Sequence, residues 1–256
     1  MARALATTIL LVCGCSERAR PEPALAPTAT VSAPAPSKPA PPELRVARAP
    51  AAEPVQVAIV EPAVGQVLTA DDAARTPIQV HSARPDWLLE LALDGRRARP
   101  LATLPEKPTL GDLAGGALAP GGHYLVAALR ATENEPARFA VARFTVGSGS
   151  VAGPLVYCGR PSGTVFGAVD QPLLLDFATD GFAPGTNGAV RVRALPARST
   201  AEPAQALLRE AGPWFVHLGS GDWSVELELL GSDGRPLAGP LSRHRCELTV
   251  NEASPP

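Results

Sequence analysis

Two stretches of this chain, 99 residues apart, carry one pattern: Gly122-His123-Tyr124-Leu125-Val126-Ala127-Ala128-Leu129 and Gly221-Asp222-Trp223-Ser224-Val225-Glu226-Leu227-Glu228. In each, a glycine turn leads to an aromatic residue and then to an apolar strand. A polar turn and a closing strand follow, at 139–146 in the first copy and 245–250 in the second, and each copy opens with a Pro and Gly turn after its first strand, at 61–65 and 160–163. A repeat of about 100 residues is the size of one small β-sandwich. In the second copy Trp223, Val225, Leu227 and Leu229 share one face and Ser224, Glu226 and Glu228 the other, the period of a half-buried strand. Tyr124 and Trp223 are expected at matching core positions.

The rest of 55–250 has the same texture. Short apolar runs such as Val55-Gln56-Val57-Ala58-Ile59-Val60 and Trp87-Leu88-Leu89-Glu90-Leu91-Ala92-Leu93 are broken by Gly, Pro, Asp and Asn, which reads as strands and turns. Only 202–212 has helical spacing, with Ala204, Leu207, Leu208 and Ala211 three and four residues apart. A second irregular connection, 103–118, has Leu104, Leu110, Leu113 and Leu118 to pin it to a core. The expected fold is all-β: two tandem sandwiches, domain 1 at 55–148 and domain 2 at 151–250, joined through the flexible Gly147-Ser148-Gly149-Ser150. The segment Leu118-Ala119-Pro120-Gly121-Gly122-His123-Tyr124, with its later turn and a last strand ending in Phe144-Thr145-Val146, resembles the last two strands of bacterial immunoglobulin-like and fibronectin-like modules. That resemblance implies immunoglobulin-like sandwiches.

The start of the chain has a different character. Arg3 precedes an apolar run from Ala4 to Val12, too short for the ~20 residues of a spanning helix and the right size for a signal peptide. Val12-Cys13-Gly14-Cys15 resembles the lipobox of bacterial lipoproteins, which implies a signal peptide at 1–14, acyl chains such as palmitate on Cys15, and permanent membrane anchoring. An ordinary secretory signal is the competing reading. Ser16 after the cysteine resembles outer-membrane sorting. Behind Cys15, 10 of the 39 residues in 16–54 are Pro and 11 are Ala, so the stretch 15–54 is expected to be a disordered, partly polyproline tether that offers too little apolar area to fold. The end, 251–256, is expected to be a disordered tail.

Beyond the signal region two cysteines remain, Cys158 near the first strand of domain 2 and Cys246 near its last. In an oxidising compartment they are expected to form a disulfide, with free thiols or a redox pair as the alternatives. Nothing points to catalysis or to a cofactor. His81, His123, His217 and His244 are scattered without metal spacing, and Gly219-Ser220-Gly221 lacks the spacers of a nucleophile elbow. A triad of His217, Ser220 and Asp222 competes with a plain hairpin turn, and calcium ligation by Asp176, Asp180 and Asn187 competes with ordinary turn roles. Of the aromatic residues, Trp214, flanked by Gly212-Pro213 and Phe215, is the candidate surface contact for a ligand. A net charge of −2 offers no basic stripe for nucleic acid. The sequence therefore points to a non-enzymatic binding or scaffolding module in the cell envelope. It is anchored through Cys15, its partner an unidentified envelope protein or glycan; a carbohydrate-binding surface lipoprotein and an envelope hydrolase are the alternatives.

Overall fold

The computed structural model describes residues 42–51, 54–97, 106–132, 135–150, 152–160, 164–166 and 172–251. Cys15, the signal segment and the tether as far as residue 41 lie outside them. The fold is all-β: among the described residues, strands form five sheets and there are two short helices. The first strand is β1 (Val46–Arg48); its partner comes much later in the chain.

The N-terminal sandwich contains β2 (Val57–Glu61), β3 (Val67–Leu68), α1 (Ala70–Arg75), β4 (Gln79–Ser82), β5 (Leu88–Leu93), β6 (Arg96–Arg97), α2 (Leu110–Ala114), β7 (Gly121–Arg130) and β8 (Arg138–Val146). One sheet has the order β3-β8-β7-β5-β6 and the other is the pair β2-β4. Leu91, Leu93, Leu125, Ala127, Phe144 and Val146 line one face of the large sheet and pack with Ala73 of α1 and Leu110 of α2. Both helices start where a threonine hydroxyl accepts the backbone N–H three residues on, Thr69 from Asp72 and Thr109 from Asp112. The connection at 103–118 is thus held by a helix: Leu110 and Leu118 are buried and Leu113 is partly so, while Leu104 lies outside the described residues.

The C-terminal sandwich contains β9 (Leu155–Cys158), β10 (Thr164–Phe166), β11 (Leu173–Leu175), β12 (Phe177–Asp180), β13 (Gly188–Pro196), β14 (Ala204–Leu208), β15 (Trp214–Val216), β16 (Gly221–Gly231) and β17 (Arg243–Val250). Its large sheet has the order β10-β17-β16-β13-β14, the same as β3-β8-β7-β5-β6 one repeat earlier, including the parallel contact of the short first strand with the last. The repeat seen in sequence is a repeat of strand order.

Two expectations are corrected. Residues 204–208 form an edge strand rather than a helix, antiparallel to β13. Ala204, Ala206 and Leu208 pack on the core while Leu207 is exposed, so a period of two decides over the three-and-four spacing because the sheet supplies the partner. The tether, expected to run to residue 54, gives way to structure by Pro42. β1 pairs antiparallel with β15 in the sheet β1-β15-β11, the Leu44 N–H donates to the Gln205 carbonyl at 2.8 Å, and Leu44 is buried in the C-terminal core. Apolar residues at 44, 46 and 49 gave this stretch what its proline-rich neighbours lack, a face to bury. The chain thus passes through the C-terminal sandwich before it builds the N-terminal one.

Candidate functional site: the junction of the two sandwiches

β5 and β7 are apolar on both faces. While Leu91, Leu93, Leu125 and Ala127 face the N-terminal core, the residues between them, Ala92, Tyr124 and Val126, join Leu155, Tyr157 and Ala178 of β9 and β12 in a second buried cluster. An apolar run without polar alternation is what burial on both faces requires. β9 and β12 form the dividing wall, with Val156, Cys158 and Phe177 turned to the C-terminal core and their neighbours to the junction. Tyr124 and Trp223 are therefore not equivalent: the tyrosine serves the junction and the tryptophan flanks the C-terminal core, its indole N–H donating to the Gly219 carbonyl.

Buried charge closes one end of the junction. Arg130, at the end of β7, is 2% exposed and donates to the Gly159 carbonyl at 2.8 Å and to Glu90 at 3.2 Å, and it lies 3.4 Å from Asp176, itself 2% exposed. Asp176 also accepts the Ala137 N–H at 2.8 Å, and Arg160 donates to the Leu174 carbonyl beside it. Gly159 allows the close approach: a Cβ there would lie 2.4 Å from the Phe139 ring and 2.6 Å from Asp176 Oδ1. Arg143 of β8 adds a second bridge, to Asp180 of β12. Arg130, Arg160 and Asp176 lie so deep that their charges persist only because they are paired. They lock the two sandwiches together across the exposed 147–150 link.

Asp176, Asp180 and Asn187 make contacts within the chain. Asp176 and Asp180 each pair with arginine, and Asn187 accepts the Ala183 N–H. Among the described residues no cluster of three or more His, Cys, Asp or Glu could hold a metal. Asp222 accepts the Thr249 hydroxyl across β16 and β17 at 2.7 Å, and no hydrogen bond among the described residues links His217, Ser220 and Asp222. Trp214, in β15, is half-buried against the C-terminal core with the Arg48 guanidinium 5.2 Å over its ring. One face of its ring is covered by a cation from β1.

Cys158 and Cys246 are brought together by β9 and β17. Both are buried, and their sulfurs stand 2.6 Å apart as thiols, without the expected bond. The Cys158 N–H donates to His244 Nδ1 at 3.1 Å. The Cys246 S–H and the His244 imidazole draw the Cys158 thiol down to about 6, while the same partnership and burial push Cys246 up.

Beside His244 the junction opens into a cleft of about 460 Å³, lined among others by Asp94, Arg96, Tyr124, Leu241, Arg243 and Arg245. Its floor is the two-residue Asp94-Gly95 hairpin, both residues at positive φ (51° and 74°) as a type I′ turn requires. Running into the cleft is a ladder on the outer face of the C-terminal sheet. Arg191 of β13 and Arg243 of β17 both pair with Glu228 of β16, Arg193 pairs with Glu226, and Arg245 stands opposite Glu226 in register. Glu228 is 1% exposed because these arginines cover it. The alternation at 191/193, 226/228 and 243/245 was the signal in the sequence that could have revealed this face.

No protein-family model matches the chain, and no curated protein matches it. Among solved structures, it is similar to the fibronectin(III)-like modules of Clostridium thermocellum CbhA at 16% identity, covering 77% of this chain and 95% of that one with a TM-score of 0.28. Drosophila N-cadherin EC1-4 matches at 11% identity over 77% of this chain, with a TM-score of 0.27, and the match spans half of the cadherin chain. The N-terminal four Ig domains of Dscam1 match at 9% identity over 78% of this chain and 52% of that one, with a TM-score of 0.24. At these values the fold rests on the strand order itself.

Proposed function

We propose that the chain is a lipid-anchored protein of the cell envelope, held in the outer membrane through Cys15, whose two sandwiches act as one non-enzymatic binding or scaffolding module. The observation that carries this reading is the locked junction. Two sandwiches sharing a buried apolar cluster and the Arg130–Asp176 network present one fixed surface, which is what a module that positions a partner needs. The Val12-Cys13-Gly14-Cys15 motif and the proline-rich spacer behind it supply the anchor and the reach. The partner is an envelope protein or glycan. In the oxidising envelope Cys158 and Cys246 close into a disulfide, constraining a loop of 88 residues and contributing about 4–5 kcal/mol in the chain-entropy treatment.

Metabolic labelling with an alkyne fatty acid tests the anchor: the full chain takes up label and floats with outer-membrane vesicles, and Cys15→Ala loses both. A Cys15→Ala protein that still carries label overturns it. Alkylation of unfolded protein before and after reduction tests the bridge, with Cys158 and Cys246 expected to react only after reduction. Affinity capture from the native host, with Cys15→Ala as control, identifies the partner.

A further inference from the structure

The cleft at the junction gathers more cationic than anionic side chains along its walls. Three guanidinium groups on the outer ladder, from Arg191, Arg193 and Arg243, pair with the two cross-strand carboxylates Glu226 and Glu228, and Arg245, opposite Glu226 in register, donates to Glu247 at 2.7 Å. Arg96 adds a further exposed cation to the lining. The acid that lines the cleft, Asp94, is already engaged: Oδ1 accepts the Tyr124 N–H at 3.0 Å and Oδ2 contacts His123 Nδ1 at 2.6 Å. The cleft therefore carries an excess of positive charge with its carboxylate occupied.

Two further donors converge on one point. A Cβ built on Gly95 would lie 2.8 Å from the Tyr124 hydroxyl and 3.2 Å from His244 Nε2, so both polar atoms face the space that the missing side chain leaves. Because His244 Nδ1 accepts the Cys158 N–H, its lone pair is engaged there and Nε2 carries the hydrogen. Burial, with Asp94 nearby, pushes the Tyr124 phenol up to about 12, so it remains a donor at any physiological pH. Pro240 and Leu241 give the cleft an apolar side, and its volume of about 460 Å³ is in the range of small-molecule sites and far larger than an inorganic ion needs.

We propose that this cleft binds a small organic carboxylate, its charged end held by Arg96, Arg243 and Arg245 with His244 and Tyr124, and its body against Pro240 and Leu241. Planar guanidinium forks match a carboxylate in pairs. The proposal rests on the reading of the body as a binding module and not on the anchor, so loss of lipid labelling leaves it intact. An acidic sugar and a peptide C-terminus both carry this chemistry.

Calorimetric titration of the full chain in detergent separates these sources, with galacturonate, acetyl-alanyl-alanine, neutral galactose and inorganic phosphate as probes. One of the two carboxylates is expected to bind at or below the millimolar range, and galactose not at all. Arg96→Gln and Arg245→Gln, both at exposed side chains, should each weaken that binding about tenfold with the unfolding midpoint unchanged. Absence of heat from both carboxylates overturns the site. So does binding that neither substitution alters, and phosphate binding as tight as the carboxylates overturns the ligand class.

Discussion

The two large sheets share one strand order and differ in what covers them. The N-terminal sheet is buried on both faces, one on its own core and the other on the junction, and β7 shows it: every residue from His123 to Arg130 is buried. The C-terminal sheet covers one face with its core and leaves the other to a ladder of arginine and glutamate. A repeat of topology thus carries no repeat of role, since role is set by which side chains stand on the second face. The opposite sheets differ too. Two capped helices close the N-terminal core, whereas the C-terminal core takes β1 from far upstream.

Removing β1 is the largest perturbation that separates the sandwiches. Deleting 42–49 strips β15 of one partner and uncovers the core at Leu44. We expect hydrogen exchange to accelerate through β11, β15 and β16 while β7 and β8 keep their protection. The milder Leu44→Ala should cost about 2–5 kcal/mol in urea unfolding. Equal loss of protection in both sandwiches would show that the two cores unfold only together.

Arg130→Met tests the junction instead. It leaves Asp176 and Glu90 without their shared cation in a buried setting, and breaking such a pair costs about 3–5 kcal/mol. The double variant Arg130→Met with Glu90→Leu should recover part of that loss, because it removes that pair together while Asp176 keeps Arg160 at 3.5 Å. If the double variant is no more stable than the single, Arg130 acts through its bond to the Gly159 carbonyl and not through charge.

How much of this the sequence disclosed depends on the range of the interaction. Repeat, strand texture and the inward face of β16 were readable because strand periodicity and turn residues are local. β14 misled because five residues can satisfy two periods, and its pairing with β13 decides. β1 was hidden by its composition: three apolar positions in a proline-rich stretch become a strand only because β15 is waiting 166 residues later, at Trp214 opposite Arg48. Cys158 and Cys246 were legible as neighbours, and Trp214 as a partly accessible aromatic, but its Arg48 cover was not. Buried Arg130 and Asp176 look in sequence like any surface charges, since only the second sandwich buries them.

Glu228→Gln probes the exposed face of the C-terminal sheet. It leaves Arg191 and Arg243 flanking a neutral amide, with an expected loss of about 1–3 kcal/mol. The loss should grow at low ionic strength, where like charges are least screened. No salt dependence would mean that packing of the arginine stems, and not charge, holds the ladder.

The smallest effect is spectroscopic and the most selective. The chain has two tyrosines, Tyr124 and Tyr157, and both lie in the junction. Burial raises both phenols, Tyr124 to about 12 and Tyr157 further. A raised acid is neutral in the folded state where the unfolded chain would already ionise it, so its contribution to stability is complete below about pH 10 and is lost as pH climbs through 12. Absorbance at the phenolate band should stay flat through the ordinary tyrosine range near pH 10 and rise only as the protein unfolds. In Arg130→Met the rise should move down toward 10 if the sandwiches part while each core survives, and stay coincident with global unfolding if they do not. The two tyrosines thus read the junction directly, without a label and without a signal from either core.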